Sequence, residues 1–217
     1  MTMHLERDLE KLRKSLLMLS SHVEEAIGNV LQYMDQQDDA TAKRIQELED
    51  QINDMEVDIE GDCLKILALH QPVAADLRFL IVVLKVNNDL ERMGDQAVNI
   101  ANRMSDTKDF AELRAQLNFT NMNEGVRRMV RSSLDALVQQ DVELARKVVS
   151  MDDEVDAFHA ENFQTLRSYS HDHPDSIDGA LAFATISSNL ERIADLCTNI
   201  GEEVIFMIEG EVVRHQG

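Results

Sequence analysis

The sequence predicts an all-α fold built from two tandem antiparallel three-helix bundles. Its 217 residues include only 8 glycines and 2 prolines, far fewer turn-forming residues than an average chain carries. Aromatic residues make up 4% of the chain and tryptophan is absent, whereas residues that enter helices at little cost are abundant. Long segments with helical spacing of apolar residues alternate with short polar connections. Together these observations argue against a β-sandwich or an α/β fold.

Three helices are predicted in the first half of the chain. Apolar residues recur every three or four positions over 5–33, which indicates one long helix with a buried stripe. The polar segment 36–39 ends this stripe and offers aspartate N-caps to a second helix that continues to about residue 69. Proline suits the first turn of a helix better than its interior, so Pro72 separates the second helix from a third over 73–104.

The second half repeats this organisation after a polar linker at 105–110. Three further helices are predicted over 113–138, 142–169 and 177–209. Short connections make successive helices antiparallel neighbours, so each half is expected to close into a bundle. The predicted repeats are 1–107 and 108–217, with the two bundles packed together or arranged end to end.

A sequence match supports the duplication. Residues 89–100 align with residues 189–200 at an offset of one hundred, and the two strings share Leu, Glu, Arg, Asp, Asn and Ile at equivalent positions. A weaker match relates 36–45 to 139–148. We therefore expect the two halves to place equivalent side chains at equivalent positions.

Charge and cysteine content exclude several functional classes. The chain contains 21 basic and 41 acidic residues, which gives a net charge of −20. A chain this acidic repels a nucleic-acid backbone. No apolar run is long enough to span a bilayer, and the first residues lack the apolar core of a signal peptide, which predicts a cytoplasmic protein. Cys63 and Cys197 are isolated and are expected to fill the helical core.

The repeated strings place carboxylates where helix packing does not require them. On the third helix Glu91 and Asp95 lie one turn apart, away from the apolar seam, and Glu191 and Asp195 do the same on the sixth. Such pairs can hold a hard or borderline cation when a second helix adds oxygen ligands. The second and fifth helices offer the following candidates: Glu49, Asn53 and Glu56, then Asp152, Asp156 and His159.

Other interpretations of these acids remain open. In a chain this acidic, about eight pairs at this spacing arise by chance and form ordinary solvated helix faces. Arg92 and Arg192 could each neutralise the aspartate three residues later, and His159 is expected to be a helix-surface residue. A carboxylate-bridged metalloenzyme, a metal store and a purely structural adaptor are the alternatives to a metal-binding regulator, although no di-iron Glu-x-x-His motif, P-loop or nucleophile elbow occurs.

Three segments of the chain resemble the PhoU family of phosphate-signalling regulators. They are 71–80, 85–101 and 189–205, and the likeness extends over about 5–210. The resemblance implies two three-helix repeats and a cytoplasmic protein that restrains phosphate uptake and phosphate-starvation signalling. It also implies contacts with the ATPase of the phosphate ABC transporter and with a phosphate-sensing histidine kinase. The protein would then associate with the membrane only through these partners. A homodimer is a further expectation.

The resemblance also implies metal clusters held by acidic pairs. The metal would be a divalent ion or a multinuclear cluster of Fe, Zn, Mn or Mg. The family motif falls on Glu91 and Asp95 in the first repeat and on Glu191 and Asp195 in the second. The partner ligands would be Glu49, Asn53, Glu56, Asp152 and Asp156. One departure is Gln96, which stands where many relatives have a histidine, so any role of that histidine is lost here.

Overall fold

The structure is a computed structural model that describes residues 3–210, and almost all of them are α-helical. The helices are α1 (Met3–Gln36), α2 (Asp39–His70), α3 (Ala74–Met104), α4 (Ala111–Arg114), α5 (Phe119–Gln139), α6 (Val142–Asp172) and α7 (Ile177–Glu209). Short 3₁₀ turns at Ser105–Thr107 and Pro174–Ser176 lie in two of the connections. Over the described residues there is no β-strand, so the predicted all-α class is confirmed.

The long helices form two three-helix bundles that lie side by side. Helices α1, α2 and α3 contact one another, α5, α6 and α7 do the same, and α3 packs against α7 between the bundles. Four helices therefore form one layer in the order α2, α3, α7, α6. Helices α1 and α5 both pack against the same face of this layer. Buried residues of both bundles join into a single apolar core, so the side-by-side alternative is the one the structure adopts.

The predicted seams of the third and sixth helices are the centre of this core. Their members are fully buried: Val86, Leu90, Met93, Ala97, Ile100 and Met104 on α3, and Ile186, Leu190, Ile193, Cys197, Ile200 and Val204 on α7. Both cysteines are buried free thiols. Burial raises the pKa of Cys63 and of Cys197 to about 12. Each cysteine thus serves as a core residue, as predicted.

The weaker sequence match corresponds to a repeated helix connection. Gln37 and Gln140 both adopt left-handed backbone conformations, with φ of 47° and 54°. The aspartate after each glutamine is an N-cap: Asp38 accepts a hydrogen bond from the Thr41 amide at 2.9 Å, and Asp141 accepts one from the Leu144 amide at 3.0 Å. The structure confirms the predicted cap of α2 and shows an equivalent cap on α6.

The fourth predicted helix is wrong in one respect, because 113–138 is not continuous. The helical conformation ends after α4 and resumes at Phe119. Leu117 and Phe119 are both buried, and a spacing of two cannot put both on one face of a helix. The break is held by the Asn118 amide, which donates to Oδ1 of the buried Asn162 at 2.7 Å.

The remaining predicted ends differ from the structure by a few residues. Helix α1 reaches Gln36 and α6 reaches Asp172, while Pro72 lies just before α3 and not in its first turn. No helix within residues 3–210 is long and apolar enough to cross a membrane.

Candidate metal sites on the helix layer

The acidic residues of the first repeat meet where α2 packs against α3. A Cβ added to Gly94 would come within 3.2 Å of Ile52 Cδ1, so the helices approach closely there. One residue joins them directly: Nδ2 of the buried Asn87 donates to the Glu56 carbonyl at 2.9 Å and to Glu56 Oε1 at 3.2 Å. These contacts bring Glu56 to the edge of α3 from which Glu91 projects.

A second amide holds Glu49, the other candidate carboxylate of α2. Asn53 Nδ2 donates to Glu49 Oε1 at 2.7 Å, and Gln46 Nε2 donates to Glu49 Oε2 at 2.8 Å. The Oδ1 atoms of Asn53 and Asn87 are both buried and have no hydrogen-bond partner. Two oxygen acceptors beside the carboxylates therefore stay unsatisfied.

Crowding of carboxylates has an electrostatic consequence in this repeat. The pKa of Glu91 is raised above its usual value, chiefly by burial and then by the charges of Asp95, Glu56 and Glu49. The pKa of Glu56 is raised as well, by burial and by Glu60. Glu91 thus lies close enough to the other three predicted carboxylates to be repelled by them, and an added cation would relieve that repulsion.

The second repeat builds the equivalent site between α6 and α7. His159 stands at the position of Glu56, and its Nδ1 lies 3.0 Å from Oγ of the buried Ser187, which replaces Asn87. The His159 ring also packs on Phe163, with centroids 4.7 Å apart. Part of His159 stays exposed at the helix surface, as predicted, and the hydrogen bond and ring contact give it partners that the sequence did not indicate.

The largest pKa shift of the two sites is found in this second one. The pKa of Asp152 is raised to about 6, first by burial and then by Asp156, Asp195 and Glu191. Partial burial and a neighbouring carboxylate raise the pKa of Glu191 and of Asp195 too. Asp152 Oδ1 is buried without a hydrogen-bond partner, as are the two amide oxygens of the first site.

The structure brings the predicted residues of each repeat together, but it corrects the expected role of Arg92. Its ion pair is with Asp89, at 3.6 Å, and not with Asp95. Burial and Asp156 raise the pKa of Asp195, and the charges of Arg192 and Arg92 oppose that increase, so Arg92 acts across the contact between the repeats. Asn87 and Ser187 were missed, although the offset of one hundred that relates the repeats also relates these two positions.

The side chains fit an oxygen-preferring cation in their chemistry, though they are not yet arranged as ligands. Within residues 3–210, no three His, Cys, Asp or Glu side chains are already placed around one point where they could hold a metal ion. Several carboxylates and three unsatisfied buried oxygens nevertheless line the two helix edges, and these are the donors that hard cations prefer. Binding a metal ion would therefore require these side chains to rotate.

Comparison with known proteins identifies the fold and both repeats. The family model described as the PhoU domain matches the chain twice, at residues 16–104 and 119–204. The chain belongs to the PhoU family. These two matches confirm the duplication that the repeated strings predicted, and they leave the short helix α4 between the matched PhoU domains.

Full-length relatives support the same assignment. The chain is 36% identical to the phosphate-specific transport system accessory protein PhoU homolog of Aquifex aeolicus, with 99% of this chain and 97% of the relative covered. It is 29% identical to PhoU of Escherichia coli strain K12, with 97% and 87% covered. The family is one of accessory and regulatory proteins of phosphate transport, so the metalloenzyme alternative loses its support.

Two solved structures match nearly the whole fold. The crystal structure of PhoU from Pseudomonas aeruginosa has a TM-score of 0.86 at 32% identity, covering 95% of this chain and 99% of that one. The phosphate transport system regulatory protein PhoU from Streptococcus pneumoniae has a TM-score of 0.84 at 27% identity, covering 96% and 99%. The PhoU arrangement of two bundles in one layered molecule is therefore shared.

Proposed function

We propose that this member of the PhoU family restrains phosphate uptake and phosphate-starvation signalling by binding two partner proteins. We further propose that cations modulate this binding when they bind to its acidic layer, by which we mean the carboxylates of the two candidate metal sites. The partners are the ATPase of the phosphate ABC transporter and the phosphate-sensing histidine kinase, both met in the cytoplasm. Support comes from the family and from the relatives' names, which place them with the phosphate-specific transport system. The charge of −20 favours fast association with basic partner surfaces.

Repetition of one acidic arrangement in both bundles carries the cation part of the proposal. In each repeat, carboxylates on one helix raise the pKa of a carboxylate on the neighbouring helix, and buried oxygens beside them lack donors. The proposed ligands are Glu49, Asn53, Glu56, Glu91 and Asp95 in the first site, and Asp152, Asp156, Glu191 and Asp195 in the second. A bound divalent or multinuclear metal would supply positive charge to each acidic edge.

Elemental analysis of protein purified without chelator is the first test. A metal at a defined ratio to protein supports the proposal, and the same protein after chelation should melt at a lower temperature. A ligand that binds only the native state adds about 2.7 kcal/mol of stability at a concentration one hundred times its Kd. Unchanged melting with Mn²⁺, Mg²⁺, Zn²⁺ or Fe²⁺ would favour the adaptor alternative.

Double variants assign the metal to each site. Glu91→Ala with Asp95→Ala should leave the apo protein as stable as before, or more stable, because a repulsion is removed. The same variant should lose the first-site share of the metal-dependent shift in Tm. Glu191→Ala with Asp195→Ala serves as the matched variant of the second repeat. A full shift in the first double variant would mean that the first site is misassigned.

Partner binding is measured by interferometry against the purified ATPase and the cytoplasmic region of the kinase. Binding should weaken as ionic strength rises, because a charge of −20 steers association electrostatically. Chelation at fixed ionic strength should change the affinity further if cations act at the interface. Absence of binding to both partners, at low salt and in both metal states, would refute the phosphate-signalling role.

A further inference from the structure

An apolar groove lies on the side of the molecule away from the acidic layer. It opens where α1 passes the beginning of α3 and the ends of α5 and α7, and its volume is about 210 Å³. Phe79, Val83 and Met207 are buried lining residues, while Leu17 from α1 and Val138 from α5 are 44% and 49% exposed. Sites for small molecules usually exceed about 300 Å³, so this groove is better suited to apolar side chains of another polypeptide.

The charges beside the groove are basic, in contrast to the rest of the chain. Arg13 and Lys14 both line it, together with Glu10. Lys14 is paired with Glu10 at 3.6 Å. The Arg13 guanidinium instead lies over the Phe79 ring, 4.1 Å from its centroid, and none of the ion pairs found among residues 3–210 includes Arg13. A carboxylate from outside would therefore find an arginine without an acidic partner at the mouth of an apolar groove.

We infer that this groove binds an acidic amphipathic helix of a partner protein, and the inference rests on the proposed function for the existence of that partner. The stretch of α1 from Glu10 to Ser20 borders the groove and is about 15 Å long at 1.5 Å per residue. A helix of about three turns can lie along it, as in other helix-in-groove complexes. Its apolar face contacts Leu17 and Val138, and one of its carboxylates pairs with Arg13.

Neighbouring exposed residues of α1 give a matched pair of variants. Leu17 lines the groove, whereas Met18 is 59% exposed and does not. We expect Leu17→Asp to weaken binding of the transporter ATPase or of the kinase cytoplasmic region about tenfold or more, and Met18→Asp to change it less than about twofold. Val138→Asp, on α5, should act like Leu17→Asp, which separates the groove from a local effect on α1.

A charge test uses Arg13. Arg13→Glu should weaken the same interaction and slow association, whereas Arg13→Lys should retain most of the affinity. Far-UV circular dichroism and melting curves establish that each variant is folded before binding is measured. Equal binding by Leu17→Asp and Met18→Asp would overturn the inference and leave the proposed function intact.

A designed peptide tests the groove without the natural partners. The probe is a fluorescein-labelled three-turn helix with a leucine face and glutamate flanks, and the control carries lysine flanks. The wild-type protein should bind the glutamate peptide more tightly than the Leu17→Asp variant does, despite the net charge of −20. If neither natural partner binds, the proposed function fails, and the peptide experiment alone tests whether the groove binds an acidic helix. Absence of peptide binding would then overturn the inference.

Two other occupants are distinguished by the same proteins. A dimer in analytical ultracentrifugation that is lost in Leu17→Asp but kept in Met18→Asp would assign the groove to a second copy of this chain. Peptide binding that appears only after removal of residues 211–217 would assign it to the chain's own end. Either result would overturn the proposal of an acidic partner helix.

Discussion

Replacing Asp152 by asparagine should stabilise the metal-free protein at neutral pH. Burial and three neighbouring carboxylates raise the pKa of Asp152 from 3.8 to about 6, so the folded state disfavours its ionised form. Asparagine keeps the shape of the side chain without the charge. An increase in stability is unusual, because most single substitutions lower the free energy of unfolding.

The magnitude follows from the difference in pKa between the folded and unfolded states. Each unit is about 1.4 kcal/mol, which gives a ceiling of about 3 kcal/mol for the shift of Asp152. Asp152 is only partly buried, so water screens the repulsion and about 1 to 2 kcal/mol is expected. In a chain of this length that gain corresponds to an increase in Tm of about 2 to 8 °C.

The sign of the pH dependence is fixed by the direction of the shift. A carboxyl whose folded pKa lies above its unfolded pKa destabilises the protein fully above about pH 6, and that penalty disappears as pH falls below the unfolded value of 3.8. The advantage of Asp152→Asn over the wild type should therefore be greatest at neutral pH and shrink steadily in acid. Both proteins must be kept in chelator, because a bound cation would reverse the sign.

Urea denaturation followed by far-UV circular dichroism at several pH values measures this difference. Asp153→Asn is the control, since Asp153 is exposed and its replacement should change stability by less than about 0.5 kcal/mol. A metal-free Asp152→Asn variant that is less stable than the wild type at neutral pH would refute the electrostatic reasoning. So would an advantage that does not depend on pH.

Three further substitutions probe the helix connections and the packing between elements, and urea denaturation measures each. Gln140→Gly should raise the free energy of unfolding by about 0.5 to 1 kcal/mol, because φ is 54° at this position and glycine adopts it without strain. Asp141→Ala should lower it by about 1 kcal/mol, because the N-cap of α6 is lost. Gly179→Ala should lower it by about 1 to 3 kcal/mol, because the added methyl overlaps the Phe110 ring, whereas Gly28→Ala meets open space and should not destabilise.

Features that repeat along the chain could be predicted from the sequence. The apolar spacing of α3 predicts its buried seam, and the equivalent spacing on α7, at an offset of one hundred, predicts the second seam. The polar segment 36–39 predicts the N-cap Asp38, and the related segment at 139–141 supplies the equivalent N-cap Asp141. In each case a local physical rule and the duplication pointed to the same residues.

Features that depend on contacts between distant segments could not be predicted in this way. The break between α4 and α5 is held by Asn162, forty-four residues away from Asn118, and helical periodicity carries no information about such a bond. The spacing of Arg92 allows a pair with Asp95, yet in the structure Arg92 pairs with Asp89 and affects Asp195 across the repeats. Tertiary packing decides these choices.

The sequence indicates the acidic layer because its carboxylates occupy helix positions that the apolar core does not require. The seams of α3 and α7 bury their apolar side chains completely, and that burial stabilises the two bundles whether or not Glu91 or Asp195 is charged. The carboxylates lie at the helix edges, where partial burial and crowding raise the pKa of Glu91, Asp152 and Glu191. Their charged forms are therefore disfavoured in the folded state, so a cation that binds them there stabilises the fold. Melting temperatures with and without chelator thus report cation binding at these carboxylates.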